Sequence, residues 1–122
     1  MRADPLFLTL HEPPSANRWW RNVNGRMVTS RAARQYKEAT AIYAIAQGIR
    51  TPLDGPVSLT VTWYRGRKSG DLDKRLGVLL DALQGVCYAN DSQITELHAH
   101  RSDAEPKNPR VEVAVSRSLA LP

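Results

Sequence analysis

Residues 57–101 read VSLTVTWYRGRKSGDLDKRLGVLLDALQGVCYANDSQITELHAHR. Val57, Leu59, Val61 and Trp63 alternate with Ser58, Thr60 and Thr62. A period of two puts the apolar set on one face of an extended chain, so the segment reads as a half-buried strand. From Leu72 the period changes. Leu72, Leu76, Leu79 and Leu83 recur at steps of three and four, which is one face of a helix running to about Gln84. Gly85 follows in the C′ position, where glycine tolerates a left-handed backbone. Past a loop with Asn90 and Asp91, another strand is expected near Ile94–Arg101. Strand, helix and strand in that order predict a parallel, right-handed crossover.

Working outward, Leu6, Leu8 and Leu10 alternate with Phe7, Thr9 and His11, predicting an opening strand over residues 6–11 that Pro13-Pro14 ends. A polar loop, with Asn22, Asn24 and Gly25 as turn formers, is expected up to Ser30. Residues 31–47 read as a helix that Thr29 or Ser30 can cap and Gly48 can end, with Ala33, Tyr36, Tyr43 and Ala44 in its buried stripe. Pro106 and Pro109 bracket a turn, and Val111, Val113 and Val115 alternate in a last strand. The expected fold is therefore α/β (α+β): a small mixed sheet carrying two helices, in the order βαβαββ. Its last two strands are expected to form an antiparallel hairpin. With 122 residues, no internal repeat and no long linker, residues 1–122 read as one domain.

The composition excludes several classes. Hydrophobic residues at 42% and charged residues at 24% suit a folded domain rather than a disordered chain. No apolar run approaches the roughly 20 residues that span a bilayer, so no membrane role is expected. Residues 1–12 lack a signal-peptide pattern, since Asp4 and Pro5 come early and no apolar core follows. The single Cys87 leaves no intrachain disulfide and no Cys-rich zinc site, in keeping with a reducing cytoplasmic setting. Net charge is +5, and its distribution says more than its size. Residues 15–37 carry Arg18, Arg21, Arg26, Arg31, Arg34 and Lys37 with no acidic residue. A second basic cluster, Arg65, Arg67 and Lys68, runs on to Lys74 and Arg75. Two aspartates sit inside it. A basic rim attracts phosphate, while carboxylates at its centre can hold a cation.

Those aspartates belong to Gly70-Asp71-Leu72-Asp73, at the turn from strand to helix. At such a turn both carboxylates can point toward one cation, although positions i and i+2 diverge within a regular helix. Mg²⁺ takes oxygen ligands and keeps waters, so two or three carboxylates suffice. The plainer reading is that an aspartate at a helix start caps it or meets its dipole. Asp81 reads as a solvated helix-face carboxylate. Asp91 is a third candidate, but in a parallel crossover the loop after the helix lies at the opposite end from the loop before it. Either residues 86–90 run back along the helix, or a partner subunit supplies Asp91. His98 and His100 share one strand face, a weak basis for zinc. No Ser-His-Asp arrangement or phosphate-cradling glycine loop is present.

Three segments together resemble the RusA family of Holliday junction resolvases. They are Pro13-Pro14-Ser15-Ala16-Asn17-Arg18-Trp19-Trp20-Arg21; Asp71-Leu72-Asp73 followed by Leu79-Leu80-Asp81-Ala82-Leu83; and Asn90-Asp91-Ser92-Gln93-Ile94. Their order and spacing match the family over almost the whole chain. The resemblance implies a small α/β domain that forms a homodimer. It implies that Asp71, Asp73 and Asp91 form the acidic catalytic and metal-binding cluster, with Mg²⁺ as cofactor and Mn²⁺ as a substitute. The implied reaction is phosphodiester hydrolysis in paired symmetric nicks across a four-way DNA junction. The family's usual Asn after Asp-Leu-Asp, and its Lys three residues later, are replaced here by Lys74 and Gly77. Lys74 is the candidate for the displaced catalytic cation, and Arg75 is its competitor.

The candidate DNA contacts are Asn17, Arg18, Trp19, Arg21, Arg65, Arg67, Lys68 and Arg75. Trp19 and Trp20 can stack on unpaired bases or pack in a core or dimer interface. Besides a junction resolvase, two readings stand: a protein that binds branched DNA without cutting it, and a nuclease for flaps or forks.

Overall fold

The computed structural model describes residues 5–14, 20–23, 26–66, 72–102 and 105–118; for residues 20–23, 26–29, 73 and 74 it describes the backbone alone. Eight elements follow in the order β1 (Leu6–His11), β2 (Trp20–Val23), β3 (Arg26–Thr29), α1 (Arg31–Ala46), β4 (Val57–Tyr64), α2 (Leu72–Leu83), β5 (Ile94–Arg101) and β6 (Arg110–Arg117). A four-stranded mixed sheet runs β1-β6-β4-β5, with two helices, giving the α+β fold expected. The period-two segments became strands and the period-3.6 segments became helices, at or within one residue of the expected ends.

The strand order follows burial. β6 lies between β1 and β4, antiparallel to both, and its Val111, Val113 and Val115 are buried. β5 pairs parallel to β4 at the sheet's other end. The last two strands are therefore not a hairpin, because β4 stands between them. The physical reason is composition: a strand with three alternating valines needs neighbours and a covered face, while ITELHAHR, mostly polar, can take the edge. The expected loop over residues 15–30 also needs correction. It contains β2 and β3, paired antiparallel with Trp20 opposite Thr29 and Val23 opposite Arg26. Asn24-Gly25, between them in sequence, is a strong hairpin signal. The strands escaped notice because neither shows apolar alternation. The order is thus βββαβαββ rather than βαβαββ.

Both helices pack on the face formed by Leu8, Leu10, Leu59, Val61, Trp63 and Val113. Ser30 caps α1, accepting a hydrogen bond from the Ala33 amide at 3.2 Å. Its buried stripe is Ala33, Tyr36, Thr40 and Ala44. Thr40 takes the place expected for Tyr43, because its hydroxyl is satisfied inside the helix by the Tyr36 carbonyl at 2.8 Å. Tyr43 stays partly exposed and its hydroxyl meets His11 Nε2 at 2.6 Å. α1 also seals the β1 edge. The Gln47 side chain accepts from the Thr9 amide at 2.9 Å and donates to the Thr9 carbonyl at 3.0 Å, and Tyr36 donates to the His11 carbonyl at 2.8 Å. These side chains stand where another strand's backbone would. Among the described residues, no helix is long and apolar enough to cross a membrane.

Candidate active site

The carboxyl end of β4 is where the chain turns toward α2, and its geometry is set by an acid the sequence reading passed over. Trp63 is 1% exposed, so its indole N–H needs a partner inside the protein. Glu12, just past β1, accepts from it at 2.8 Å and from the Gly66 amide at 2.9 Å with the same oxygen. The other carboxylate oxygen lies 3.9 Å from Arg75 on the first turn of α2. Arg75 also donates to the Pro13 carbonyl and stands 5.6 Å over the Trp63 ring. One carboxylate thus joins the end of β1, the end of β4 and the start of α2. A second cluster supports the other side. Arg110 donates to Glu105 and, at 3.1 Å, to Glu112, and its guanidinium stacks 3.9 Å from the Tyr64 ring. Arg65 Nε donates to the Ser102 carbonyl at 3.0 Å, tying β4 to the end of β5.

Gly66 and Leu72 flank the acidic motif, so both ends of the segment that carries it are held. Position 73 is the second residue of α2 and position 74 the third. Asp71, Asn17, Arg18, Trp19, Arg67 and Lys68 lie outside the described residues, as do the side chains of Asp73, Lys74 and Arg21. Arg65 and Arg75 are brought to the same end of the molecule as the motif. Arg75 is held by protein groups on three sides, and this makes it an anchor for the Pro13 segment rather than the open cation expected for DNA.

Asp91 sits elsewhere. It opens a single 3-10 turn, Asp91–Gln93, immediately before β5. Asn90 and Gln93 form a capping box around it. Gln93 Oε1 accepts from the Ala89 and Asn90 amides at 2.8 and 2.9 Å, and its Nε2 donates to the Leu53 and Gly55 carbonyls at 3.0 and 2.8 Å. The Asp91 amide donates to Gln84 Oε1 at 3.1 Å, which fixes the turn beside the carboxyl end of α2. Residues 84–90 do not run back along the helix: the Gly85 amide donates to the Tyr88 carbonyl and the Cys87 amide to the Leu83 carbonyl. Ten residues separate position 73 from Leu83, about 15 Å of helix. On the sheet, Ile94 pairs with Val57, seven residues before Tyr64, about 23 Å of strand. Within one chain, then, Asp91 and the start of α2 occupy opposite ends of the β4-α2-β5 unit.

Beneath Asp91, the Tyr88 hydroxyl donates to the Leu80 carbonyl at 2.6 Å. Burial, joined by the nearby Cys87, Asp91 and Asp81, raises its pKa, so it stays a neutral donor. Asp81 lies 4.0 Å from Lys37 and is half-exposed, the surface carboxylate expected. Among the described residues, no three His, Cys, Asp or Glu side chains could hold one metal ion. The candidate ligands Asp71, Asp73 and Asp91 are all carboxylates, a donor set whose chemistry fits Mg²⁺ or Mn²⁺. His98 and His100 carry no such set.

Glu12, Gln93 and Gln84 are the residues that sequence reasoning missed. The Asn90…Gln93 spacing was a readable capping box. Glu12 had no local signal, since its partners lie 51 and 54 residues away.

With both ends of the acidic segment placed, the family comparison decides what the fold is. Residues 11–116 match the family model Endodeoxyribonuclease RusA. The chain belongs to the RusA endodeoxyribonuclease family. No curated protein matches the chain. The RusA match begins at the last residue of β1 and ends within β6, so it takes in Glu12, the Asp-Leu-Asp turn and the Asp91 turn together.

Proposed function

We propose that this RusA family member is a divalent-metal-dependent endonuclease that resolves four-way DNA junctions by paired symmetric nicks, and that it works as a homodimer. The observation that carries the reading is the Asp-Leu-Asp motif at the braced turn from β4 to α2, inside a chain matched to the endodeoxyribonuclease family over residues 11–116. Asp71 and Asp73 would hold the cation together with Asp91. A cation held there would polarise the scissile phosphate and acidify a bound water. The carboxylates orient the attacking water. Lys74, next along the helix, lowers the cost of the extra negative charge at phosphorus. Arg65, Arg67, Lys68 and the basic residues of 15–37 draw in the phosphate backbone.

The separation of Asp91 from the start of α2 supports a site shared between two subunits. A twofold dimer would then hold two composite sites for a twofold junction, and neither would be complete in a lone subunit.

The test is cleavage of a synthetic four-way junction with Mg²⁺ or Mn²⁺, run beside duplex, flap and fork substrates. Paired nicks at symmetric positions in the junction, lost on chelation, are the expected result. Binding without cutting would favour a junction-binding protein, and stronger cutting of flaps or forks would reassign the substrate.

A further inference from the structure

The two edges of the sheet are treated differently. At β1, Gln47 and Tyr36 occupy the outward backbone groups. At the other edge, β5 runs for eight residues with β4 as its one strand neighbour among the described residues. The helical layer stops short of it as well. Leu59 is fully buried, yet Leu97, its register partner on the same face, is 41% exposed. Glu96, His98 and His100 are exposed on the opposite face. A long, open edge strand bearing an apolar side chain invites another strand, and proteins that remain monomeric usually block it.

We propose that β5 is a dimerisation strand, pairing antiparallel with β5 of a second copy of this chain about a twofold axis at His98. A twofold axis normal to the sheet keeps each residue on its own face, so only residues of like parity can stand opposite one another. Centred on His98, this register sets Glu96 against the partner's His100, twice, on one face. On the other it sets Leu97 against the partner's Ala99, twice. The strand is thus self-complementary: each acid meets a base and each apolar side chain an apolar one. Centring on Leu97 instead would set Glu96 against the partner's His98 but leave Leu97 facing only itself and Ala99 facing Thr95.

One consequence rests on the nuclease reading. Antiparallel pairing lays the start of β5 beside the end of the partner's β5. Asp91 is thereby carried to the end of the sheet at which the partner's α2 begins, the end it cannot reach in its own chain.

Sedimentation of the full chain at micromolar concentration tests the contact. The wild type should be a dimer. Glu96→Lys and His100→Glu should each weaken it about tenfold, since each sets like charges opposite one another, and the double variant should recover the affinity. Leu97→Arg should give a folded monomer with a cooperative melt. Both charged positions are exposed, so the charge exchange stands even if Leu97→Arg fails to fold. A monomeric wild type, a dimer indifferent to Leu97→Arg, or a double variant no tighter than the singles would overturn the proposal. None of these readouts depends on cleavage, so failure of the nuclease reading would be seen separately.

Discussion

At the scale of single residues, Glu12 organises the end of β4. Removing its carboxylate leaves the Trp63 indole N–H unpaired in the core, which costs about 1–3 kcal/mol. Glu12→Ala should lower the urea midpoint accordingly, and should slow cleavage by releasing Gly66 and Arg75. Glu12→Gln, which keeps one acceptor for both N–H groups, should do less. Lys74 is separable from this scaffold. Lys74→Ala should slow single-turnover cleavage by about tenfold, roughly 1.4 kcal/mol, with junction affinity little changed. Arg75→Ala should instead act through stability, because Arg75 is bound to the Pro13 carbonyl and faces Trp63. Cys87 gives a pH prediction. Burial pushes its thiol from 9.0 up to about 12, so the fold favours the neutral form. That contribution to stability is complete below the unfolded value and is lost as pH rises through the folded one. Urea midpoints should therefore fall between about pH 9 and about pH 12, and the native thiol should resist alkylation until the protein unfolds.

At the scale of elements, legibility tracked how local the cause was. β1, β4, α1 and α2 were readable because each carries its own periodicity and, at Ser30 and Gly85, its own boundary signal. β2 and β3 were hidden because they carry no apolar face, leaving only Asn24-Gly25 to mark them. Strand order was hidden for a different reason: it depends on which strands find neighbours on both sides, and no single segment encodes that. The Asp-Leu-Asp turn was legible from charge and position, as was the opposite-end placement of Asp91, which follows from a parallel crossover. What holds Asp91 in place was not, since Gln93 reaches back 40 and 38 residues to Leu53 and Gly55. Gln93→Ala removes all four of its side-chain hydrogen bonds. With net values near 1 kcal/mol per bond and water replacing some of them, a loss of about 2 kcal/mol is expected. Cleavage should fall further than junction binding, because the turn aims a carboxylate and touches no basic segment.

At the scale of the whole molecule, the question is whether one active centre draws on one chain or two. The β4-α2-β5 unit places position 73 and Asp91 about a helix length apart, and the Gln84 and Gln93 hydrogen bonds leave the Asp91 turn little freedom to cross that distance. Mixed dimers separate the alternatives. Let one subunit carry Asp73→Asn and the other Asp91→Asn, co-expressed with different tags and purified through both. If each centre is built within a chain, both centres in the mixed dimer lack one carboxylate, and cutting is lost as in either parent. If the centres are shared, one of them contains both substitutions while the other unites an intact Asp73 with the partner's intact Asp91. That dimer should nick one strand of a four-way junction at close to half the wild-type rate of first cleavage and fail to make the paired second nick. Substituting both positions in the same subunit, beside a wild-type partner, is the control. Shared centres then each lack one carboxylate and the dimer should be inactive, whereas centres within a chain would leave the wild-type subunit able to nick. The two pairings thus invert between the alternatives, and subunit exchange or misfolding cannot mimic the inversion, because each pairing carries the same two substitutions.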